Sequence, residues 1–158
     1  MSVTINTTIN GKAVSASADA STSLLEFLRD TLEMKGSKLC CNTGECGACT
    51  VIYNGKPINT CVTMAADAIG AQIITIEGLA DGDKLHPVQQ AFIDTGAVQC
   101  GYCTPGFIMS VKALLDRTTK PTPADIEEAV SGNICRCTGY NKIVDAIHLA
   151  ADKIAGRA

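Results

Sequence analysis

The stretch Cys41-Asn42-Thr43-Gly44-Glu45-Cys46-Gly47-Ala48-Cys49, with Cys61 further on, restricts this chain more than any other part of it. The spacing Cys-x4-Cys-x2-Cys plus a distant fourth cysteine is the ligand spacing of a plant-type [2Fe–2S] cluster. Four thiolates reach two irons only if the chain wraps tightly and turns backbone N–H groups toward the sulfurs. Gly44 and Gly47 supply that backbone freedom, and Ala48 is small enough for the loop to close. Structural zinc also takes four cysteines, but its sites usually show two CxxC-like pairs. The spacing therefore favours the cluster for Cys41, Cys46, Cys49 and Cys61. Taking Cys40 in place of Cys41 would give Cys-x5-Cys, so Cys40 reads as a small buried or partly exposed thiol.

The chain has nine cysteines in 158 residues. An odd number cannot pair completely, and tight local groups of cysteine suit a metal better than long-range disulfides. Apolar residues make up 46% but aromatics only 4%, with no Trp, so bound metal is expected to carry part of the stability. A net charge of −3 weighs against nucleic acid or an anionic membrane as partner. No apolar run is long enough to span a bilayer. The N-terminus runs from Met1 straight into an alternating strand pattern, without a basic region, an apolar core or a twin-Arg pair. A cytoplasmic protein is expected.

Residues 3–9 alternate and end at Asn10-Gly11, the favoured two-residue hairpin turn, with Val14 to Ala18 as the returning strand. Ser23 and Glu26 fit a capping box. Leu24, Leu25, Leu28 and Leu32 then predict a helix over 24–34, packed across the hairpin. A second hairpin, Thr50 to Tyr53 and Lys56 to Thr60 around Asn54-Gly55, delivers Cys61, and a last strand is expected at Ile73 to Glu77. Past the polar, Gly-containing stretch 78–84 the strand signals vanish. Helices are expected over 87–97 with Pro87 at N1 and Val88, Phe92 and Ile93 near one face. Others start at Thr104-Pro105 (through Phe107, Ile108, Val111, Leu114 and Leu115), at Thr122-Pro123 and at Asn141, the last with Ile143, Ile147 and Ile154 inward. The fold class is thus α+β: an N-terminal β-grasp, plant-ferredoxin-like domain at 1–79, then an all-α four-helix bundle at 84–158.

The helical half repeats itself. Helix, Cys100-Gly101-Tyr102-Cys103-Thr104-Pro105, helix is followed by helix, Cys135-Arg136-Cys137-Thr138-Gly139-Tyr140, helix. Two helix N-termini meeting there would aim positive dipole ends and free N–H groups at one anionic object. By spacing alone, Cys100, Cys103, Cys135 and Cys137 fit an iron–sulfur cluster, zinc, or a redox CxxC. His86 and His148 lack partners at ligand spacing and read as helix-end or surface residues. No phosphate-binding Gly-rich loop and no Ser/His/Asp grouping appears, so no catalytic residue is assigned. A chain built to hold metal thiolates reads as an electron carrier, with a free ferredoxin-like shuttle or a zinc interaction module as the rivals.

Three motifs, taken in order, carry a resemblance over essentially the whole chain. Cys41 to Val51, Gln99-Cys100-Gly101-Tyr102-Cys103-Thr104-Pro105-Gly106 and Gly132-Asn133-Ile134-Cys135-Arg136-Cys137-Thr138-Gly139-Tyr140 resemble the signatures of one family. It is the small iron–sulfur subunit of the molybdenum hydroxylases, the enzymes related to xanthine dehydrogenase, aldehyde oxidoreductase and carbon monoxide dehydrogenase. Cys40 departs from the pattern, which usually has glycine there. The resemblance implies a second [2Fe–2S] cluster on Cys100, Cys103, Cys135 and Cys137. It implies an oxidoreductase in which this chain lies between a large molybdopterin-binding subunit and a medium FAD-binding subunit, as a heterotrimer or its dimer. Electrons would pass from molybdenum to the bundle cluster, to the grasp-domain cluster, then to flavin. Gln99 matches the glutamine that hydrogen-bonds the pterin, and Cys137 the ligand nearest to it. The stretch from His86-Pro87 to Cys103 looks most like xanthine-dehydrogenase-type members, which implies an N-heterocyclic substrate.

Overall fold

Two Asn-Gly pairs build the sheet. In the computed structural model, which describes residues 1–157, Asn10 and Gly11 have φ of +51° and +76°, and Asn54 and Gly55 have +46° and +81°. Positive φ at both central residues defines a type I′ turn, whose twist matches that of the flanking strands. The first turn folds β1 (Ser2–Ile9) onto β2 (Lys12–Asp19), and the second folds β3 (Thr50–Tyr53) onto β4 (Lys56–Asn59). Strand β5 (Gln72–Ile74) enters between the hairpins, parallel to β1 and antiparallel to β3. The sheet is therefore mixed, in the order β2-β1-β5-β3-β4.

The last strand is shorter than expected because Asn10 captures Thr75. Its carboxamide oxygen accepts the Thr75 N–H at 2.9 Å and its Nδ2 donates to the Thr75 hydroxyl at 3.0 Å. The chain leaves the sheet there and makes a 3₁₀ turn at Ile76–Gly78. That turn places Ile76 and Leu79 against the helical core.

Ser23 and Glu26 form the expected capping box: the Ser23 N–H donates to the Glu26 carboxylate at 2.9 Å, and the Glu26 N–H donates to the Ser23 hydroxyl at 3.2 Å. Helix α1 nevertheless covers only Leu24–Glu26 and passes into a π-helical turn at Phe27–Thr31. Two contacts and one backbone angle accompany the end of the regular helix before residue 34. Met34 N–H reaches back to Leu28 O at 2.8 Å, Glu33 adopts φ +57°, and the Arg29 guanidinium donates to the Ser37 carbonyl at 2.6 Å. Leu24 and Leu28 are buried on the sheet as expected, joined by Phe27, which the sequence pattern did not mark. Leu25 packs instead with Cys49 and Cys61.

The cap also titrates. The Ser23 N–H and hydroxyl hold the Glu26 carboxyl below its ordinary value. A depressed folded-state value means the stabilisation is present above the unfolded value and lost as pH falls through the folded one. Ser23→Ala is expected to weaken α1 by about 1 kcal/mol near neutral pH, read as faster amide exchange at Leu25–Phe27. The difference from the parent should shrink as the medium is acidified through the Glu26 titration.

In the second half, α2 (Pro87–Asp94), α3 (Thr104–Arg117), α4 (Pro123–Val130) and α5 (Asn141–Ile154) appear as expected, with α2 ending earlier. His86 is the N-cap of α2, its Nδ1 accepting the Val88 N–H, and Thr122 caps α4 in a capping box with Asp125. Val88, Phe92, Phe107, Ile108, Val111, Leu114, Leu115, Ile143 and Ile147 share one core, and Ile154 packs at its edge. Ile93 is 57% exposed rather than inward. Strand alternation then joins the halves. Val51 faces the grasp core, while its neighbour Ile52 packs on Met109 and Ala113 of α3.

Candidate metal centres

The loop after α1 gathers the first four thiols. Asn42 (φ +58°), Gly44 (+83°) and Gly47 (+66°) take left-handed conformations, so the chain coils back on itself three times between Cys41 and Cys49. The Asn59 side chain ties this loop to β4 by donating to the Gly44 carbonyl at 2.6 Å. Cys61 arrives on the 3₁₀ turn Thr60–Val62, which directly follows β4. Cys46, Cys49 and Cys61 are buried and Cys41 is half-buried. Backbone N–H groups point at the sulfurs, as the spacing requires: Thr43 and Cys46 donate to Cys41 Sγ at 3.5 and 3.4 Å. These bonds hold the Cys41 thiol down at about 5, the direction expected when donors favour a thiolate. Burial pushes Cys61 up to about 11, with the adjoining Cys49 thiol adding to it. Burial likewise raises Cys46. Cys40 is exposed, and it is Cys41 that the N–H groups address.

The second set lies where α3 and α5 begin. Cys103 is the N-cap residue of α3, and Tyr140, in a left-handed conformation, is that of α5. The Phe107 and Tyr140 rings meet edge-to-face with centroids 6.2 Å apart, which fixes the two helix starts against each other. Cys137 Sγ lies 3.7 Å from Cys100 Sγ, and Cys103 contacts Cys135. Burial, together with Cys135, pushes Cys103 up to about 12. Burial also acts upward on Cys135, but the Thr138 hydroxyl at 3.1 Å and its N–H at 3.4 Å outweigh it and lower the thiol overall. The Tyr140 hydroxyl accepts the Cys135 N–H at 3.0 Å. Gln99, Cys100 and Cys137 are exposed together on the outer side, and Cys135 is buried.

In both sets the thiols come as pairs: Cys41 with Cys46 and Cys49 with Cys61, then Cys100 with Cys137 and Cys103 with Cys135. A [2Fe–2S] cluster needs pairs, because each iron takes two thiolates and shares two bridging sulfides, whereas zinc takes its four ligands about a single point. The residues fit the cluster in both places.

Comparison with known proteins agrees. Residues 7–69 match the 2Fe-2S iron-sulfur cluster binding domain, and residues 75–148 match a second family, the [2Fe-2S] binding domain. The nicotinate dehydrogenase small FeS subunit of Eubacterium barkeri is 48% identical, over 97% of this chain and 98% of its own. This chain belongs to the small iron–sulfur subunits of the molybdenum hydroxylases. The subunit superposes on a chain of quinoline 2-oxidoreductase from Pseudomonas putida 86 with a TM-score of 0.92, at 37% identity and 99% coverage of both. It superposes on the aldehyde oxidoreductase of Desulfovibrio desulfuricans with a TM-score of 0.94 at 42% identity, over 98% of the subunit but 17% of that longer chain. As in these relatives, the subunit is part of an oxidoreductase.

Sequence reasoning passed over several groups that shape the centres. Thr138 was visible only as half of a repeat; Thr104 in the matching place is simply the first residue of α3. Asn59 gave no local signal, and Gly106 and Asn133 stood only as members of the quoted motifs, with no role assigned to them. Gly106 and Asn133 matter because the two halves touch there: Asn133 Nδ2 donates to the Gly47 carbonyl at 3.1 Å, and the Ile134 N–H donates to the Cys46 carbonyl at 3.0 Å.

Proposed function

We propose that the subunit carries electrons through two [2Fe–2S] clusters, from a molybdopterin site on a large partner subunit to FAD on a medium one. The pairing of the thiols carries this reading. Cys41, Cys46, Cys49 and Cys61 would hold one cluster and Cys100, Cys103, Cys135 and Cys137 the other. When bound, each cluster takes up and gives back one electron. The protein's part is to bury the thiolates, fix them with N–H and hydroxyl donors, and set the two centres side by side, so that little rearranges when the charge changes. Residues 1–79 and 84–158 serve as the two cluster-holding domains, with α2 to α5 acting as a four-helix bundle.

The exposure pattern supports the direction. Gln99, Cys100 and Cys137 form the open edge of the helical centre, which fits the molybdopterin side, with Gln99 toward the pterin and Cys137 as the nearest ligand. The half-buried Cys41 and the exposed Asn42, Thr43 and Glu45 open the first centre elsewhere, which fits the flavin side. Among the described residues no helix is long and apolar enough to cross a membrane. A heterotrimer or its dimer, in the cytoplasm, is the assembly proposed. Relatives named for nicotinate and quinoline favour an N-heterocyclic substrate on the partner subunit.

Metal analysis of the purified complex tests this directly. About four irons and four labile sulfides per copy of this chain are expected, two of each per cluster. Stoichiometric zinc, or about two irons in fully loaded protein, would rule the two-cluster reading out.

A further inference from the structure

A backbone hydrogen bond joins the two halves next to a buried cysteine of each set. Cys46 is buried, and its carbonyl accepts the N–H of Ile134 at 3.0 Å. The next residue is Cys135, also buried. Around this bond the packing is backbone on backbone. A Cβ on Gly47 would stand 2.3 Å from both Asn133 Nδ2 and the Gly132 carbonyl, and one on Gly106 would stand 2.1 Å from the Gly47 carbonyl. Any larger residue at either glycine would force the two halves apart. Asn133, itself buried, adds its bond to Gly47 at 3.1 Å.

Building on the function above, we propose that the hydrogen bond from Ile134 N–H to the Cys46 carbonyl is the electronic bridge between the clusters, and that the Gly47, Gly106 and Asn133 packing holds it in place. The route runs from the Cys135 sulfur through its backbone to Ile134, across one hydrogen bond, and through the Cys46 carbonyl to the Cys46 sulfur. One electron crosses: the cluster on Cys135 is oxidised by one and the cluster on Cys46 is reduced by one, with no bond broken and no proton moved. A covalent chain interrupted by one well-formed hydrogen bond couples two centres better than a gap between surfaces. Cys46 and Cys135 are buried at its two ends, while the Ile134 side chain between them is exposed. The rival link, from the Tyr102 hydroxyl to the Leu39 carbonyl, stops with Cys40 still between it and Cys41.

The test uses the assembled, cluster-loaded complex. Ile134 is replaced by its α-hydroxy acid analogue, which puts an ester oxygen where the N–H stood and keeps the side chain; Ile134→Pro removes the same donor by ordinary mutagenesis. One electron per complex is injected by flash photoreduction with a deazaflavin, and its redistribution between the clusters is followed by freeze-quench EPR. The dipolar splitting after dithionite reduction reports the separation of the clusters. The expected result is unchanged iron content and splitting with redistribution slowed severalfold, and native redistribution in Tyr102→Phe. Native redistribution in the ester variant overturns the bridge. So does slowing that appears only together with an altered splitting, which would make the bond a strut. An unsubstituted complex lacking two distinct reduced signals fails sooner, on the functional reading itself.

Discussion

Cys103→Ser in the assembled complex is expected to stop substrate from reducing the grasp-domain cluster, while a donor acting through the flavin still fills it. Cys103 stands at the start of α3 in contact with Cys135, and burial raises its thiol. Serine offers an alkoxide too basic to replace a thiolate there, so the helical cluster is lost or badly weakened. If the clusters act in series, substrate electrons then have no way past that point, and the rate at which they reach the grasp-domain cluster falls below detection. Cys46→Ser should do the reverse: substrate still reduces the helical cluster, and electrons fail to reach the flavin. Rapid-mixing EPR with substrate on one side and a flavin-side donor on the other reads both. Reduction of the grasp-domain cluster by substrate at the native rate in Cys103→Ser would show that the order is wrong.

Cys41→Ala should lose the grasp-domain cluster, about half of the iron, whereas Cys40→Ala should keep both clusters. The neighbours look interchangeable in sequence, but the loop treats them differently. Thr43 and Cys46 aim their N–H groups at Cys41 Sγ, and Cys41 lies against Cys46. Cys40 is exposed just before the loop begins to coil. Losing the metal also removes part of the folding free energy of a small metal-held unit, so Cys41→Ala should unfold at markedly lower denaturant than Cys40→Ala. Iron analysis and low-temperature EPR of dithionite-reduced protein decide the matter. Retention of both signals in Cys41→Ala, with loss in Cys40→Ala, would move the register by one.

How far the sequence could be read depended on the range of the interactions involved. Asn10-Gly11 and Asn54-Gly55 declared their hairpins because a type I′ turn is a property of two residues. Ser23 with Glu26, Thr122 with Asp125, and Pro87 after His86 marked helix starts for the same local reason. The cysteine spacing pointed to the first centre because loop length limits which sulfurs can meet. For the second centre spacing alone left zinc and a dithiol open, and the family resemblance was needed.

What depends on distant partners was not written locally. The helix after Ser23 opens into a π turn because Arg29 is drawn to the chain that follows it, and Leu25 turns out beside Cys49 and Cys61. The strand at Ile73 stops because Asn10, at the other end of the domain's sequence, takes Thr75. The pairing of the thiols, the exposed edge at Gln99 and Cys137, and the contact of Cys46 with Ile134 exist only once the helices and the sheet are packed. By itself the sequence determined which residues are able to ligate, because thiolate chemistry and loop length are local. Only the tertiary structure decided which parts of the two halves meet, because Gly47 and Gly106 are visible as small residues in their motifs but the approach of one to the other, and the backbone hydrogen bond beside it, are set by packing between distant segments.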